Sequence, residues 1–80
     1  MTPVYILFSG YYREVESIHT TFDNARKALI AVLNVSTAVR LHYEPDKEHP
    51  DNADLGTWTP VDENEDAYSD YSIEGYEVIE

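Results

Sequence analysis

Hydrophobic and polar positions in residues 1–21 predict two strands joined by a short turn. Residues 4–8 are a continuous apolar run of β-forming side chains, which is typical of a central strand covered on both faces. Ser9 and Gly10 predict a turn, which places residues 11–13 in the hairpin connection. The polar, β-branched residues 15–21 predict a second strand, antiparallel to the first.

A helix follows, and its spacing is regular. Asp23 is expected to be the N-cap, with Phe22 before it positioned to pack against the first turn. Asn34 is expected to end the helix. Between them, apolar residues recur at i, i+3, i+4, i+7 and i+8, and this amphipathic stripe comprises Ala25, Ala28, Leu29, Val32 and Leu33.

The second half of the chain predicts two or three more strands between acidic loops. Apolar and polar residues alternate over residues 38–43, which indicates a half-buried strand. Val39, Leu41 and Tyr43 would lie on one face, and Arg40 and His42 on the other. Loops are expected at about residues 44–56 and 61–70, with a short optional strand at residues 57–59 before Pro60.

In the last strand, residues 71–79, the apolar side chains change from odd-numbered to even-numbered positions. Tyr71 and Ile73 share one face, whereas Tyr76 and Val78 share the other. A β-bulge at Gly75 would bring all four apolar side chains to the core, so we expect a bulge there.

These elements predict one α+β domain over residues 1–80: a small antiparallel sheet with one helix packed on one face, in the order β-β-α-β-(β)-β. The length supports a single core. The chain has no cysteine, which excludes disulfides, thiol catalysis and cysteine-bound zinc. The longest apolar run, residues 28–33, is too short to span a membrane. No signal-peptide pattern is visible, so a cytoplasmic location is expected.

Three segments of the sequence resemble a group of small uncharacterised bacteriophage proteins. They are VYILFSGYY (residues 4–12), TFDNARKAL (residues 21–29) and YSIEGYEVIE (residues 71–80). The resemblance covers about half of the chain and implies a ββαβ-type core in a protein of the host cell cytoplasm. The acidic insertion between Glu44 and Asp70 departs from the group. No functional residue can be carried over.

The charge is concentrated in one half of the chain. Sixteen Asp and Glu against five Lys and Arg give a net charge of −11. Residues 1–43 contain three acids and four bases, a net of +1, whereas residues 44–80 contain thirteen acids and one base, a net of −12. Such a surface repels nucleic acid and anionic membranes and attracts basic protein surfaces.

Metal and cofactor binding have little support in the sequence. Asp62, Asn64 and Asp66 have the first three spacings of a calcium loop, but Ala67 and Ile73 replace the glycine and the bidentate glutamate that the loop needs. We therefore expect a solvated acidic loop, with no metal and no cofactor.

The histidines and serines give no catalytic pattern. His19 and His42 lie on predicted strands and could be neighbours, whereas His49 lies in an acidic loop, where its pKa could rise. None has the spacing of a metal ligand pair. Ser9 lacks a nucleophile elbow, and only three glycines are present. We expect no enzymatic activity.

The remaining pattern is acid interleaved with tyrosine in residues 62–77. Carboxylates on alternate strand residues stand about 6.5–7 Å apart, close to the phosphate spacing of one DNA strand, and tyrosine supplies contact area. The leading hypothesis is therefore a phage-type inhibitor that binds a host nucleic-acid-binding protein by DNA mimicry, for example a CRISPR effector, restriction enzyme, nuclease or polymerase. The predicted contact residues are Asp62, Glu63, Glu65, Asp66, Tyr68, Asp70, Tyr71, Glu74, Tyr76 and Glu77.

The alternative hypothesis is a non-catalytic protein–protein interaction module or dimeric accessory protein. In that case an exposed aromatic patch formed by Tyr11, Tyr12 and Trp58 would make the contact. The sequence is compatible with a homodimer under this hypothesis. It leaves open whether the acidity serves mimicry or only solubility.

Overall fold

A computed structural model describes residues 2–10, 12–34, 39–67 and 69–78 of the chain. Its elements are β1 (Thr2–Ser9), β2 (Glu14–His19), α1 (Phe22–Leu33), β3 (Arg40–Pro45), β4 (Gly56–Val61) and β5 (Ser72–Val78). The strands form one antiparallel sheet in the order β2-β1-β5-β4-β3. This confirms the predicted α+β architecture, and the optional strand is a full member of the sheet.

The β1–β2 hairpin forms as predicted and contains a register shift. Its turn closes with a 3.1 Å hydrogen bond from the backbone N–H of Arg13 to the carbonyl of Gly10, and both residues have positive φ. Leu7 pairs with Ser17, but the next residue, Phe8, pairs with Val15. The extra residue on β2 is therefore at the shift, where bulges increase the local twist.

The helix starts from a different cap than the sequence predicted. Thr21 is the N-cap, and its Oγ1 accepts a 3.2 Å hydrogen bond from the backbone N–H of Asn24. Asp23 instead lies in the first turn, where its carboxylate is 3.0 Å from Lys27 Nζ. The prediction failed because both residues are good caps. The predicted end is confirmed: Asn34 is a left-handed C-cap with φ of 55°.

The core lies between the helix and one face of the sheet. It is centred on the buried side chains Tyr5, Leu7, Ala25, Leu29 and Ile73. Aromatic rings extend it toward β4, because the ring centroid of Trp58 is 4.7 Å from that of Phe22 and 4.8 Å from that of Tyr43. The amphipathic stripe of the helix therefore packs as its spacing predicted, with Val32 as an exposed member.

The predicted bulge at Gly75 is absent. β5 pairs with β1 in continuous register from Ser72 opposite Phe8 to Val78 opposite Thr2. Without a bulge, side chains keep alternating between the two faces of β5, so Ile73 faces the helix and Tyr76 faces away from it. Gly75 serves a different purpose: a Cβ there would lie 2.1 Å from the backbone carbonyl oxygen of Asp54. A loop crosses the sheet at this residue, and only glycine permits the approach.

The prediction that β1 is covered on both faces is also wrong. Tyr5 and Leu7 are buried under the helix, whereas Val4, Ile6 and Phe8 alternate with them and face the other side of the sheet. Among the described residues no element packs on that side. We call it the open face.

The ladder between β4 and β5 is short. It covers three pairs, from Gly56 opposite Gly75 to Trp58 opposite Ile73. Pro60 lies beyond it, where its missing N–H removes no hydrogen bond to β5. The helix lies over β1, β2 and β5. The β3–β4 hairpin therefore joins the rest of the domain through this ladder, the loop before β4 and the packing of Trp58 and Leu41 against the core.

Candidate functional site: an acidic groove beside the open face

The acidic loops lie at opposite ends of the sheet. The loop over residues 46–55 connects β3 to β4, next to the end of β5, whereas the loop over residues 62–71 connects β4 to the start of β5. Antiparallel pairing therefore places them about one strand length, roughly 20 Å, apart. The acidic half of the sequence forms two clusters and does not form one continuous strip.

The loop at residues 62–66 is compact. Oδ1 of Asp62 accepts backbone hydrogen bonds from Asn64 at 2.8 Å and from Asp66 at 3.0 Å. A bridge between Val61 and Ala67 closes the loop. The carboxylate of Asp62 thus stabilises the turn through backbone hydrogen bonds, whereas Glu63, Glu65 and Asp66 are exposed.

The remaining predicted contact residues divide between the two faces. Glu74 and Tyr76 lie on the open face, whereas Glu77 lies on the helix side. Tyr71 is half-buried and packs against the core. Asp70 is exposed, and Tyr68 lies outside the described residues. The nine described residues of this set therefore do not lie on one face of the sheet.

A groove of about 740 Å³ lies between the start of the 46–55 loop and the end of β5. Five carboxylates line it against two basic side chains, Lys47 and His49: Glu44, Asp46, Glu48, Glu74 and Glu77. We call it the acidic groove. Glu44 and Glu74 both pair with Thr57 in register, so two carboxylates face one another across one strand, roughly 10 Å apart.

Sequence reasoning missed this groove because its carboxylates come from distant segments. The sequence predicts an exposed loop for Glu44, Asp46 and Glu48, and the final strand for Glu74 and Glu77. Only the β3-β4-β5 order makes them neighbours. The alternation of acids in residues 44–48 was the available clue.

The loop that borders the acidic groove is held by long-range hydrogen bonds. The hydroxyl of Tyr5 donates to Asp54 Oδ1 at 2.9 Å. The hydroxyl of Tyr43 donates to the carbonyl of Leu55, and the side-chain amide of Asn52 donates to Glu77. Leu55 is buried. This part of the predicted exposed loop is therefore packed on the sheet, so the groove has a fixed wall.

Two interactions set the charge within the groove. Asp46 Oδ2 lies 2.9 Å from Nδ1 of His49, and this hydrogen bond raises the pKa of His49 above its ordinary value. Glu74 forms an ion pair with Arg13 and accepts a 2.6 Å hydrogen bond from the hydroxyl of Tyr76. Burial, followed by the hydrogen bond to Glu74, raises the pKa of Tyr76.

The histidines do not meet, contrary to the sequence expectation. His19 lies on β2 and His42 on β3, the two opposite edges of the sheet. Nε2 of His19 is 2.7 Å from Ser17 Oγ, and Nε2 of His42 is 3.5 Å from Glu44. Among the residues that the structure describes, no three His, Asp or Glu side chains are placed to hold a metal ion.

Of the alternative aromatic patch, the structure describes Tyr12 and Trp58. Tyr12 is exposed at the hairpin turn, but Trp58 packs against Phe22 and Tyr43 on the helix side. Tyr11 lies outside the described residues. The two described members of the patch therefore lie on different elements, Tyr12 at the β1–β2 turn and Trp58 on β4.

The fold defines a small α+β domain, with one helix on a five-stranded antiparallel sheet and an acidic groove at one end. No protein-family model, curated protein or solved structure matches the chain. In the described part of the chain, no helix has the length and apolar character needed to cross a membrane.

Proposed function

We propose that this chain is a non-catalytic protein-binding domain whose acidic groove binds basic side chains on another protein. The observation that carries the proposal is the lining of the groove, with five carboxylates against Lys47 and His49; one of the five, Glu74, is also paired with Arg13. A Lys or Arg side chain from a partner would find several carboxylates within reach and Tyr76 beside them. Such contacts are charge-assisted and favour arginine where two oxygens can accept together.

The charge of the whole domain supports the same partner class. A net charge of −11 accelerates association with a basic surface and makes the rate depend on salt. Because the loop beside the groove is held on the sheet by Tyr5, Tyr43 and Asn52, part of the site is ordered before binding. Ordered sites lose less entropy when they bind.

The partner that we propose is a host protein that binds nucleic acid, which this chain would inhibit by occupying the basic surface. CRISPR effectors, restriction enzymes, nucleases and polymerases all have such surfaces. Carboxylates at two ends of the sheet would take the places of phosphates. Membrane lipids and nucleic acid, both anionic, are not proposed as partners.

Affinity capture from a bacterial lysate tests the proposal. We expect capture of a basic nucleic-acid-binding protein at low salt, loss of that protein at 1 M salt, where the Debye length is about 3 Å, and its displacement by duplex DNA. Capture that persists unchanged at 1 M salt would rule out recognition by charge. Capture that duplex DNA does not displace would rule out mimicry.

Two triple variants locate the contact. The variant Glu44→Gln, Asp46→Asn, Glu48→Gln neutralises three charges at the groove. The control Glu63→Gln, Asp66→Asn, Asp70→Asn neutralises three at the opposite end of the sheet. The groove hypothesis predicts that the first weakens capture far more than the second. Equal weakening would mean that net charge alone matters, and the reverse order would move the contact to the 62–71 loop.

A further inference from the structure

One carboxylate of the acidic groove is already bound by a cation of the same chain. Arg13 reaches from the β1–β2 turn and forms an ion pair with Glu74, a groove residue on β5. The side chain of Glu74 is only 16% exposed, whereas that of Asp46 is 36% and that of Glu44 is 72% exposed. The carboxylate of Glu74 is therefore far more covered than the two groove carboxylates at the end of β3.

The ion pair is surrounded by further contacts on the open face. The guanidinium of Arg13 binds Oε2 of Glu74, and the hydroxyl of Tyr76 donates a 2.6 Å hydrogen bond to Oε1. The same guanidinium lies 4.7 Å from the ring centroid of Phe8, a cation–π contact. Both oxygens of Glu74 therefore accept from donors within the chain, and the bond to Arg13 is charge-assisted.

The partner of Glu74 differs in charge from the partners of the other groove carboxylates. Three of these carboxylates have described partners, which are His42 for Glu44, His49 for Asp46 and Asn52 for Glu77. Asparagine is neutral, and histidine carries a positive charge only when it is protonated. Arginine remains charged at every pH at which proteins fold. Among the described pairs of the groove, the one at Glu74 is therefore the pair in which the carboxylate is neutralised permanently.

We propose that Arg13 is an intramolecular competitor of the partner's basic side chains and lowers the affinity of the acidic groove by occupying Glu74. This inference rests on the proposed function of the groove and describes its regulation. A cation that approaches Glu74 meets a carboxylate whose charge is already balanced, and the Arg13 guanidinium repels it. Movement of Arg13 away from Glu74 returns one full negative charge to the groove, so the contact is autoinhibitory.

The position of Arg13 allows this contact to open while the fold is kept. Its side chain is 59% exposed, so water can replace the ion pair at a modest cost. Its backbone is held separately, by the 3.1 Å hydrogen bond to the carbonyl of Gly10 that closes the turn. Glu74 is held by strand pairing with Ile6 on β1 and Thr57 on β4. The guanidinium can therefore swing away while the strands on both sides of Glu74 remain paired.

Fluorescence anisotropy with a labelled oligoarginine peptide, in about 0.1 M salt, tests the proposal. Arg13→Gln should bind the peptide about tenfold more tightly than the wild type does, because it frees one charged carboxylate. The matched control is Arg40→Gln, which removes the same charge from an ion pair with Glu65. Arg40 lies about 13 Å from Glu44 along β3, beyond the Debye length of about 10 Å. The control should therefore change the affinity by less than about twofold.

A double variant shows whether the gain in affinity depends on Glu74. Arg13→Gln combined with Glu74→Gln should bind the peptide no more tightly than Glu74→Gln alone, and circular dichroism confirms that each variant is folded. Three results would overturn the competitor role while the groove function stands: equal gains for Arg13→Gln and Arg40→Gln, weaker binding by Arg13→Gln, or a gain that survives Glu74→Gln. If neither the wild type nor Arg13→Gln binds the peptide, the groove function fails, and the competitor role fails with it.

Discussion

The hydroxyl of Tyr5 donates a 2.9 Å hydrogen bond to Oδ1 of Asp54, forty-nine residues away in the chain. Tyr5 is in the core and is only 5% exposed, so the bond connects the loop beside the acidic groove directly to β1. Burial first, and then the adjacent Asp54 carboxylate, raise the pKa of Tyr5 to about 12 from an ordinary 10.0.

This raised pKa makes stability depend on alkaline pH. Between pH 10 and 12 the folded protein retains a proton that the unfolded chain releases, so the stabilisation is complete below pH 10 and is lost as pH rises through 12. The loss amounts to about 3 kcal/mol in the free energy of unfolding, since each pKa unit corresponds to about 1.4 kcal/mol. Urea denaturation of wild type and Tyr5→Phe over this range measures it. The variant should lose less stability; equal losses would contradict the assignment.

Gly75→Ala should destabilise the domain severely. The added Cβ would lie 2.1 Å from the backbone oxygen of Asp54, and backbone cannot move away as a flexible side chain can. We expect a loss of about 3 kcal/mol or more in the free energy of unfolding. Gly10→Ala is the control, since it meets open space at a positive φ and should cost about 1 kcal/mol. Similar losses for both would mean that the loop does not cross at Gly75.

Thr21→Ala and Asp23→Asn together test which residue caps the helix. Thr21 accepts the cap hydrogen bond, so its replacement should cost about 1 kcal/mol. Asp23 contributes only a favourable charge in the first turn and an exposed ion pair with Lys27, so its replacement should cost about 0.5 kcal/mol or less. Thermal or urea midpoints give the comparison. A larger loss of stability for Asp23→Asn than for Thr21→Ala would instead identify Asp23 as the N-cap.

Asp46→Asn should lower the pKa of His49 toward 6.5. The hydrogen bond to Asp46 is the largest cause of the raised pKa, and Glu48 contributes a smaller effect through its charge. The interaction is therefore strongest when the imidazole is protonated and is lost as pH rises through the raised pKa. NMR titration of the imidazole protons reports the pKa directly. Glu48→Gln is the control and should lower it less than Asp46→Asn does.

Local patterns predicted local structure well. The helix end at Asn34 and the alternation of Leu41 and Tyr43 against Arg40 and His42 depend on neighbouring residues, and both are confirmed. The predicted cap is wrong because Asp is by type a stronger N-cap than Thr, whereas the backbone of the folded chain places Thr21 at the cap position.

Features that depend on distant residues could not be predicted in the same way. The bulge predicted at Gly75 would bury Tyr76, and it follows only if every apolar side chain of the strand faces one core. The structure instead leaves Tyr76 on the open face and uses Gly75 for the crossing loop. The acidic groove depends on the strand order β5-β4-β3, which no local spacing encodes.

The three-pair ladder between β4 and β5 divides the sheet into parts of unequal local stability. Because the helix lies over β1, β2 and β5, we expect the β3–β4 hairpin to open more readily than the rest of the sheet, against the packing of Trp58 on Phe22. Its amides should then exchange hydrogen faster than those of β1. The acidic groove spans this division, with Glu44 and Thr57 on one side and Glu74 on the other. A partner bound in the groove would contact both the hairpin and β5 and would stabilise the pairing between them. Binding should therefore slow amide exchange in β3 and β4.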